Sequence, residues 1–278
     1  MASNQIPSKG AVNLEKIGIF QDDKGIFINP NIYARHLDKS LNIVQKDFST
    51  YYQYKDDYYH KLEELELLSF LRDYFNMLVP DGWTLSLENQ YFPAFEREVT
   101  RAESLVQSDN YINTKNGLLF IEDSIKYLPH TKRIFTTSQI PVMLNKGQAQ
   151  ECPRFMTFLD EVFLSNQDLI LLVQEILGYA LSNSTKAHKL FLFFGRGRNG
   201  KSLLLNILTE LVGIENVSNI SLQGFSNPFE VANIVNKKIN VSTENSFKGR
   251  QLRTDLLKSI SAGDATLIKC QERKAFFP

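Results

Sequence analysis

The stretch Lys189–Val212, KLFLFFGRGRNGKSLLLNILTELV, decides how this chain is read. Within it, Gly195-Arg196-Gly197-Arg198-Asn199-Gly200-Lys201-Ser202 matches G-x-x-x-x-G-K-[ST]. Glycines let the backbone curl so that successive N–H groups point inward around a phosphate. Lys201 would reach the β and γ phosphates, and the Ser202 hydroxyl would be a ligand for Mg²⁺. The helix that begins here adds the positive end of its dipole to the same anion. Leu190 to Phe194 is a continuous apolar run of the kind a buried parallel strand shows. Leu203, Leu204, Ile207, Leu208 and Leu211 continue at helical spacing, so strand, glycine loop and helix follow in the order the motif requires. From Lys186 to Ser202 there are five basic residues and no acid, which makes the loop locally positive.

Working outward, an ATPase also needs an acidic residue at the end of a neighbouring strand. In Lys238-Ile239-Asn240-Val241-Ser242-Thr243-Glu244 a short β-type run ends in Glu244, the candidate for that role and for attending the metal. Residues 214–237 suffice for another strand and a crossover helix. Farther on, Ala265 to Lys269 and Arg273 to Phe277 read as two short strands about a Cys270-Gln271-Glu272 turn, with Lys269, Arg273 and Lys274 near its tip. Such residues neutralise phosphates without reading bases, although a basic hairpin can also be just a solvated one.

Upstream of the loop, Pro153 opens a helix with Phe155, Phe158, Leu159 and Val162 on one face. Ser165 followed by Asp168 is a capping-box pattern for a second helix, with Leu169, Leu172, Val173, Ile176, Leu177 and Ala180 inward. Gly117 to Ile121 and Ile134 to Thr137 are short apolar runs between turn residues. Lys61 to Met77 is expected to be an amphipathic helix using Leu62, Leu65, Leu68, Leu71 and Phe75, ending before Pro80. The first sixty residues read as strands and turns: Gly18 to Phe20 and Gly25 to Ile28 flank a Gln-Asp-Asp-Lys turn, and Ser49 to Tyr54 is rich in β-formers. The cluster Tyr51, Tyr52, Tyr54, Tyr58 and Tyr59 could stack on bases, but its acidic neighbours favour packing in a sheet. Three regions follow: 1–110 of short strands plus an amphipathic helix, 111–186 mainly helical, and 187–278 as the phosphate-loop core.

The 278 residues are 43% hydrophobic and 12% aromatic, enough to bury real cores, which excludes disorder as the main state. Thirty-one basic and 31 acidic residues cancel, so any polyanion binding is local rather than bulk. The zero is a sum of unlike parts. Lys55 to Asp109 holds twelve acids against five bases, whereas Phe247 to Pro278 holds seven bases against three acids. Cys152 and Cys270 stand far apart without C-x-x-C, which argues against a zinc ribbon or a disulfide scaffold. His36, His60, His130 and His188 form no metal spacing or triad order. No signal peptide or membrane span is visible, and a cytoplasmic location without membrane partners is expected.

The text FFGRGRNGKS with its following LLLNILTELVG, the STE after the second strand, and LLKSISAGDATLIKCQERKAFFP resemble superfamily 3 helicases of the phage, plasmid and poxvirus primase-helicase type. TKNGLLFIED, CPRFMTFLDEVF and LVQEILGYALS are similar to the domain that precedes the ATPase core in that family. The resemblance runs from about Asn113 to Pro278. It implies an α/β, AAA+-like core behind a helical domain, assembling into a ring, usually a hexamer, that moves on single-stranded DNA beside a primase or other replication proteins. By position, Gly195, Gly200, Lys201 and Ser202 would hold ATP and Mg²⁺, Glu244 would be the second motif's acid, and the segment bearing Lys269, Arg273 and Lys274 would touch the DNA backbone. Thr243 stands where some relatives place a first acid. The sequence stops at Pro278, short of the family's polar sensor and its arginine, so a truncated motor is expected. Two other readings remain open: a nucleotide-binding assembly module without hydrolysis, and, less favoured, a small-molecule kinase.

Overall fold

A computed structural model of the chain describes residues 12–46, 50–107, 109–145, 151–195, 197, 199–242 and 254–262. Helices and strands are mixed, as an α/β class requires. The chain divides into two units, 1–107 with 131–137 and 108–130 with 138–278, so the expected second and third regions fall in one unit.

The first unit begins with the hairpin β1 (Ile19–Asp22) and β2 (Gly25–Ile28), turned by Asp22, whose Oδ1 accepts the Lys24 N–H at 2.7 Å. Next comes a helix the sequence reading had as strand and turn, α1 (Pro30–Leu41). Its signals are local: Asn29 caps the Ile32 N–H at 3.2 Å, Pro30 takes the first helical position, and Asn42 closes the end at φ 50°. Strands β3 (Ile43–Lys46), β4 (Thr50–Lys55) and β5 (Tyr58–Leu62) follow, then α2 (Glu64–Leu78), α3 (Leu85–Glu98) and the short β6 (Thr100–Arg101) and β7 (Val106–Gln107). The sheet order is β5-β4-β3-β6, with β6 parallel to β3.

The expected helix at 61–77 therefore starts later, because Lys61 and Leu62 belong to β5, and it faces differently. A capping box between Glu63 and Glu66 sets its start. Leu67, Phe70, Leu71, Tyr74 and Phe75 are buried, whereas Leu65 is 79% exposed. Spacing alone could not choose between two overlapping leucine stripes; the aromatic side chains fill the space between α1 and α3. Tyr33, Leu37, Tyr91 and Phe95 complete that core over Ile43, Tyr51 and Leu62 of the sheet. On the other face Val44, Tyr52 and Tyr59 pack with Phe135. Tyr51, Tyr52 and Tyr59 are thus buried sheet residues rather than a stacking platform.

The second unit opens with a three-stranded antiparallel meander, β8 (Tyr111–Thr114), β9 (Gly117–Ile121) and β10 (Ile125–Leu128), where the reading by regions expected mainly helix. The chain then returns to the first unit, whose β11 (Ile134–Phe135) runs parallel to β7. Back in the second unit, α4 (Pro153–Val162) starts at its proline and α5 (Gln167–Leu181) is capped by Asn166, whose Oδ1 accepts the Leu169 N–H at 3.2 Å. The cap is one residue beyond the expected Ser165. The buried face of α5 carries Ile170, Val173, Ile176 and Leu177, while Leu169 and Leu172 are exposed, a rotation of the expected face.

The remaining helices and strands are α6 (Lys201–Val212), β12 (Val217–Ser218), a one-turn α7 (Pro228–Val231), β13 (Ile239–Asn240) and α8 (Thr254–Ala262). The strands β12 and β13 pair in parallel. Leu159, Ile170, Val173 and Leu177 share one core with Leu204, Leu208 and Val212 of α6 and with Val217 and Val241. Each such side chain contributes about 1.5–3 kcal/mol by leaving water. This core holds α6, and the loop at its start, against α4 and α5. Among the described residues no helix is long and apolar enough to cross a membrane.

Candidate functional site

The glycine loop meets α6 at Gly200. That residue sits at φ +81°, ψ −5°, a left-handed conformation that a side chain resists, and a Cβ there would lie 2.8 Å from Val162 Cγ2 and 3.1 Å from Phe158 Cε2 of α4. Glycine is required twice over, for the turn and for the approach of α4. The turn puts Lys201 at the first position of α6, whose opening N–H groups have no intrahelical partner and whose dipole is positive at this end.

Lys201 bends back over the loop. Its ammonium donates to the Gly195 carbonyl at 3.0 Å and to Asn199 Oδ1 at 2.6 Å. The Asn199 amide nitrogen lies where Gly195 would carry a Cβ, so the first glycine of the motif makes room for the asparagine. Ser202 is exposed one residue into the helix, and Gly197 has open space around it. The structure thus brings Gly195, Asn199, Gly200 and Lys201 together with Ser202 alongside. Arg196 and Arg198 lie outside the described residues.

The strand expected before the loop is not formed. Residues 190–194 have no strand pairing, and Leu190, Leu192 and Phe194 are 50%, 59% and 87% exposed. Phe193 alone of the run packs against the core beneath α6. A parallel strand is buried only when neighbours pair with it on its edges. Here, among the described residues, the parallel pairing in this unit is between β12 and β13.

That pairing does form the second strand where the sequence placed it. Val241 after β13 is buried, and Glu244 lies three residues further, outside the described residues. Lys269, Arg273 and Lys274 also lie outside them. No group of three or more metal-capable side chains occurs among the described residues.

Residues 90–164, from within α3 to just past α4, match a family model described as D5 N terminal like. That domain is the N-terminal part of phage and plasmid primase-helicase proteins, and the match supports this general family for the chain. Residues 193–276 match a second model, described as a family of unknown function, DUF5906. This match begins at Phe193 and takes in the loop, α6, the β12–β13 pair and the Glu244 segment. No curated protein matches the chain.

Sequence reading missed a polar network that joins the two matched stretches. Buried Asn216 donates through Nδ2 to the Gln139 carbonyl at 2.9 Å and to the Val212 carbonyl at the end of α6 at 2.8 Å. Asn183 Nδ2 donates to the Tyr111 carbonyl at 2.9 Å, and its Oδ1 accepts from the Lys238 ammonium just before β13. Burial of Lys238 lowers its pKa from 10.5 to about 8. Beside this network Asn240, in the middle of an apolar strand run, signals polar contacts of its own, to Ser218 and Ile220, since asparagine is depleted in strands unless its amide has a partner.

A hollow of about 370 Å³ beside β12 is lined by Ser218, Asn219, Glu230, Asn233 and Lys237, and it does not include the loop residues. Glycine geometry, a positive helix end and an ammonium converge instead at the loop.

Proposed function

We propose that this chain is an ATP-dependent DNA helicase module of the superfamily 3 type, serving replication of a phage, plasmid or other mobile element. The observation that carries the reading is Lys201, which starts α6 behind a left-handed Gly200 and turns its ammonium toward Gly195. The D5 N terminal-like match upstream supports a replication setting.

The residues present fit a polyphosphate. Gly195 and Gly200 leave no side chain in the bend, the first turn of α6 offers backbone N–H groups, and Lys201 supplies a cation. Gly197, Arg196, Arg198 and Asn199 complete the loop. Ser202 would hold Mg²⁺, with Glu244 as the acid that attends it and orients the attacking water. Bound there, Mg²⁺ neutralises phosphate charge. Lys269, Arg273 and Lys274 would contact the single-stranded DNA backbone, and copies of the chain would form a ring, a hexamer in the family it resembles, working with a primase or other replication proteins.

Lys201→Ala tests the reading. Loss of a hydrogen bond to a charged group should weaken ATP binding by roughly 10- to 100-fold and abolish turnover. Single-stranded DNA should stimulate whatever turnover the unaltered protein has. Unchanged ATP binding in Lys201→Ala removes the assignment of the loop.

A second reading, a nucleotide- and DNA-binding assembly module without hydrolysis, is favoured by the exposed Leu190, Leu192 and Phe194 where the core's central strand is expected. ATP binding with no turnover, under conditions where the protein oligomerises, supports it over the first.

A further inference from the structure

We infer that Asn199 is a positioning residue that competes with phosphate for Lys201 and so sets the nucleotide affinity of the loop; the inference rests on the phosphate-binding reading above.

The geometry closes the loop through Lys201 and Asn199. The Lys201 ammonium reaches the Gly195 carbonyl at 3.0 Å and Asn199 Oδ1 at 2.6 Å. The other end of the same carboxamide, Nδ2, fills the space that glycine leaves at position 195. The two acceptors differ in freedom. Gly195 offers a backbone oxygen fixed by the chain, whereas Asn199 offers a side-chain oxygen that can swing away about two torsions. An oxygen of a phosphate that takes up Lys201 therefore displaces the asparagine rather than the glycine carbonyl.

The chemistry makes that exchange run in one direction. A carboxamide oxygen is a neutral acceptor and a phosphate oxygen a charged one, so on moving to phosphate the ammonium gains a charge–charge attraction that the asparagine does not offer. Asparagine thus keeps the ammonium aimed into the loop without outbidding a nucleotide. An aspartate would outbid it, because the carboxylate would form an ion pair with Lys201 across the same short contact. Alanine would remove the carboxamide from that competition. Asn199 is half-buried, so either change fits without opening a core.

The test is equilibrium titration with ATP, and with a fluorescent ADP analogue as the probe, for the full chain and for Asn199→Ala, Asn199→Ser and Asn199→Asp, each also in a Lys201→Ala background at millimolar nucleotide. Alanine and serine should each tighten binding about three- to tenfold, the net worth of one ordinary hydrogen bond. Aspartate should weaken it at least about tenfold at low salt, less at high salt, since the competing contact becomes an ion pair. In the Lys201→Ala background the alanine and serine effects should vanish, which a merely structural role of Asn199 would not produce. Thermal melts of the single variants should stay together. Weaker or unchanged binding in both Asn199→Ala and Asn199→Ser overturns the competition, as does a tightening by alanine that persists without Lys201. Lys201→Ala binding ATP like the unaltered protein is the separate result that removes the underlying reading.

Discussion

The Asn240 carboxamide holds Ile220 by both backbone groups: Oδ1 accepts the Ile220 N–H and Nδ2 donates to the Ile220 carbonyl, each at 2.8 Å. The same Oδ1 accepts the Ser218 hydroxyl at 2.8 Å. A single side chain of β13 therefore replaces the ladder bonds that β12 would need to continue past Ser218. It fixes the strand whose continuation carries Glu244 against the residues that follow α6. Asn240→Ala would strand two backbone groups of the buried Ile220, and it should cost about 1–3 kcal/mol. Urea melts read this as a lower midpoint with an unchanged slope. An unshifted midpoint would mean that the clamp bears no stability.

Gly200→Ala should be the most damaging single methyl in the loop. It places a Cβ at φ +81° and within 2.8 Å of Val162 Cγ2. The left-handed conformation alone costs roughly 1–2 kcal/mol. Thermal melting and ATP titration should fall together, because the strain bears on the start of α6 and on the contact with α4. Loss of nucleotide binding at full stability would place the defect in the loop alone.

Gly178→Ala should do the opposite. Gly178 lies within α5, exposed, and an added Cβ meets nothing within 4 Å. The gain should be about 0.5–1 kcal/mol, from a less flexible unfolded chain and a better helix former. Calorimetry should show a rise in melting temperature, and a fall would indicate that this face of α5 is covered by something an added methyl disturbs.

Lys238 gives a pH dependence with a definite sign. Burial lowers its folded pKa to about 8 from 10.5. Between those values the unfolded chain binds a proton that the folded chain does not, so stability should rise as pH goes from about 8 toward 10.5 and be insensitive to this group below 8. Lys238→Met should flatten that rise relative to the unaltered protein. Parallel stability–pH curves for the two proteins would show that Lys238 keeps its proton in the folded state.

Much of this molecule was legible one short segment at a time. The β1–β2 hairpin, the run from Thr50 in β4, the strand at Gly117, the helix starting at Pro153 and the helix after Lys201 all stand close to where turn residues, capping groups and apolar spacing put them. The loop was legible for the same reason: the backbone needs glycine at Gly200 for a left-handed turn, and the phosphate binding proposed for it needs a lysine beside it, so both requirements are written in adjacent letters. Helix α1 was overlooked despite its Asn29-Pro30 start, because its polar residues dilute the apolar face formed by Tyr33, Ala34, Leu37 and Leu41.

Tertiary structure alone decided the choices that depend on a distant partner. Whether α2 buries Leu65 or Phe70, and whether α5 buries Leu169 or Ile170, turned on the shape of the surface each helix meets, because two apolar stripes satisfy the same period. The five-residue run before Gly195 is apolar enough for a buried strand, but pairing belongs to the neighbour as much as to the run, and Leu192 and Phe194 stay exposed. The contact of Asn199 with Lys201, across a bend and under a glycine, has no letter of its own in the motif, where Asn199 stands at a variable position. Local backbone and charge requirements are recorded in consecutive residues; which face is buried and which side chain meets which are set by surfaces that only the folded chain brings together.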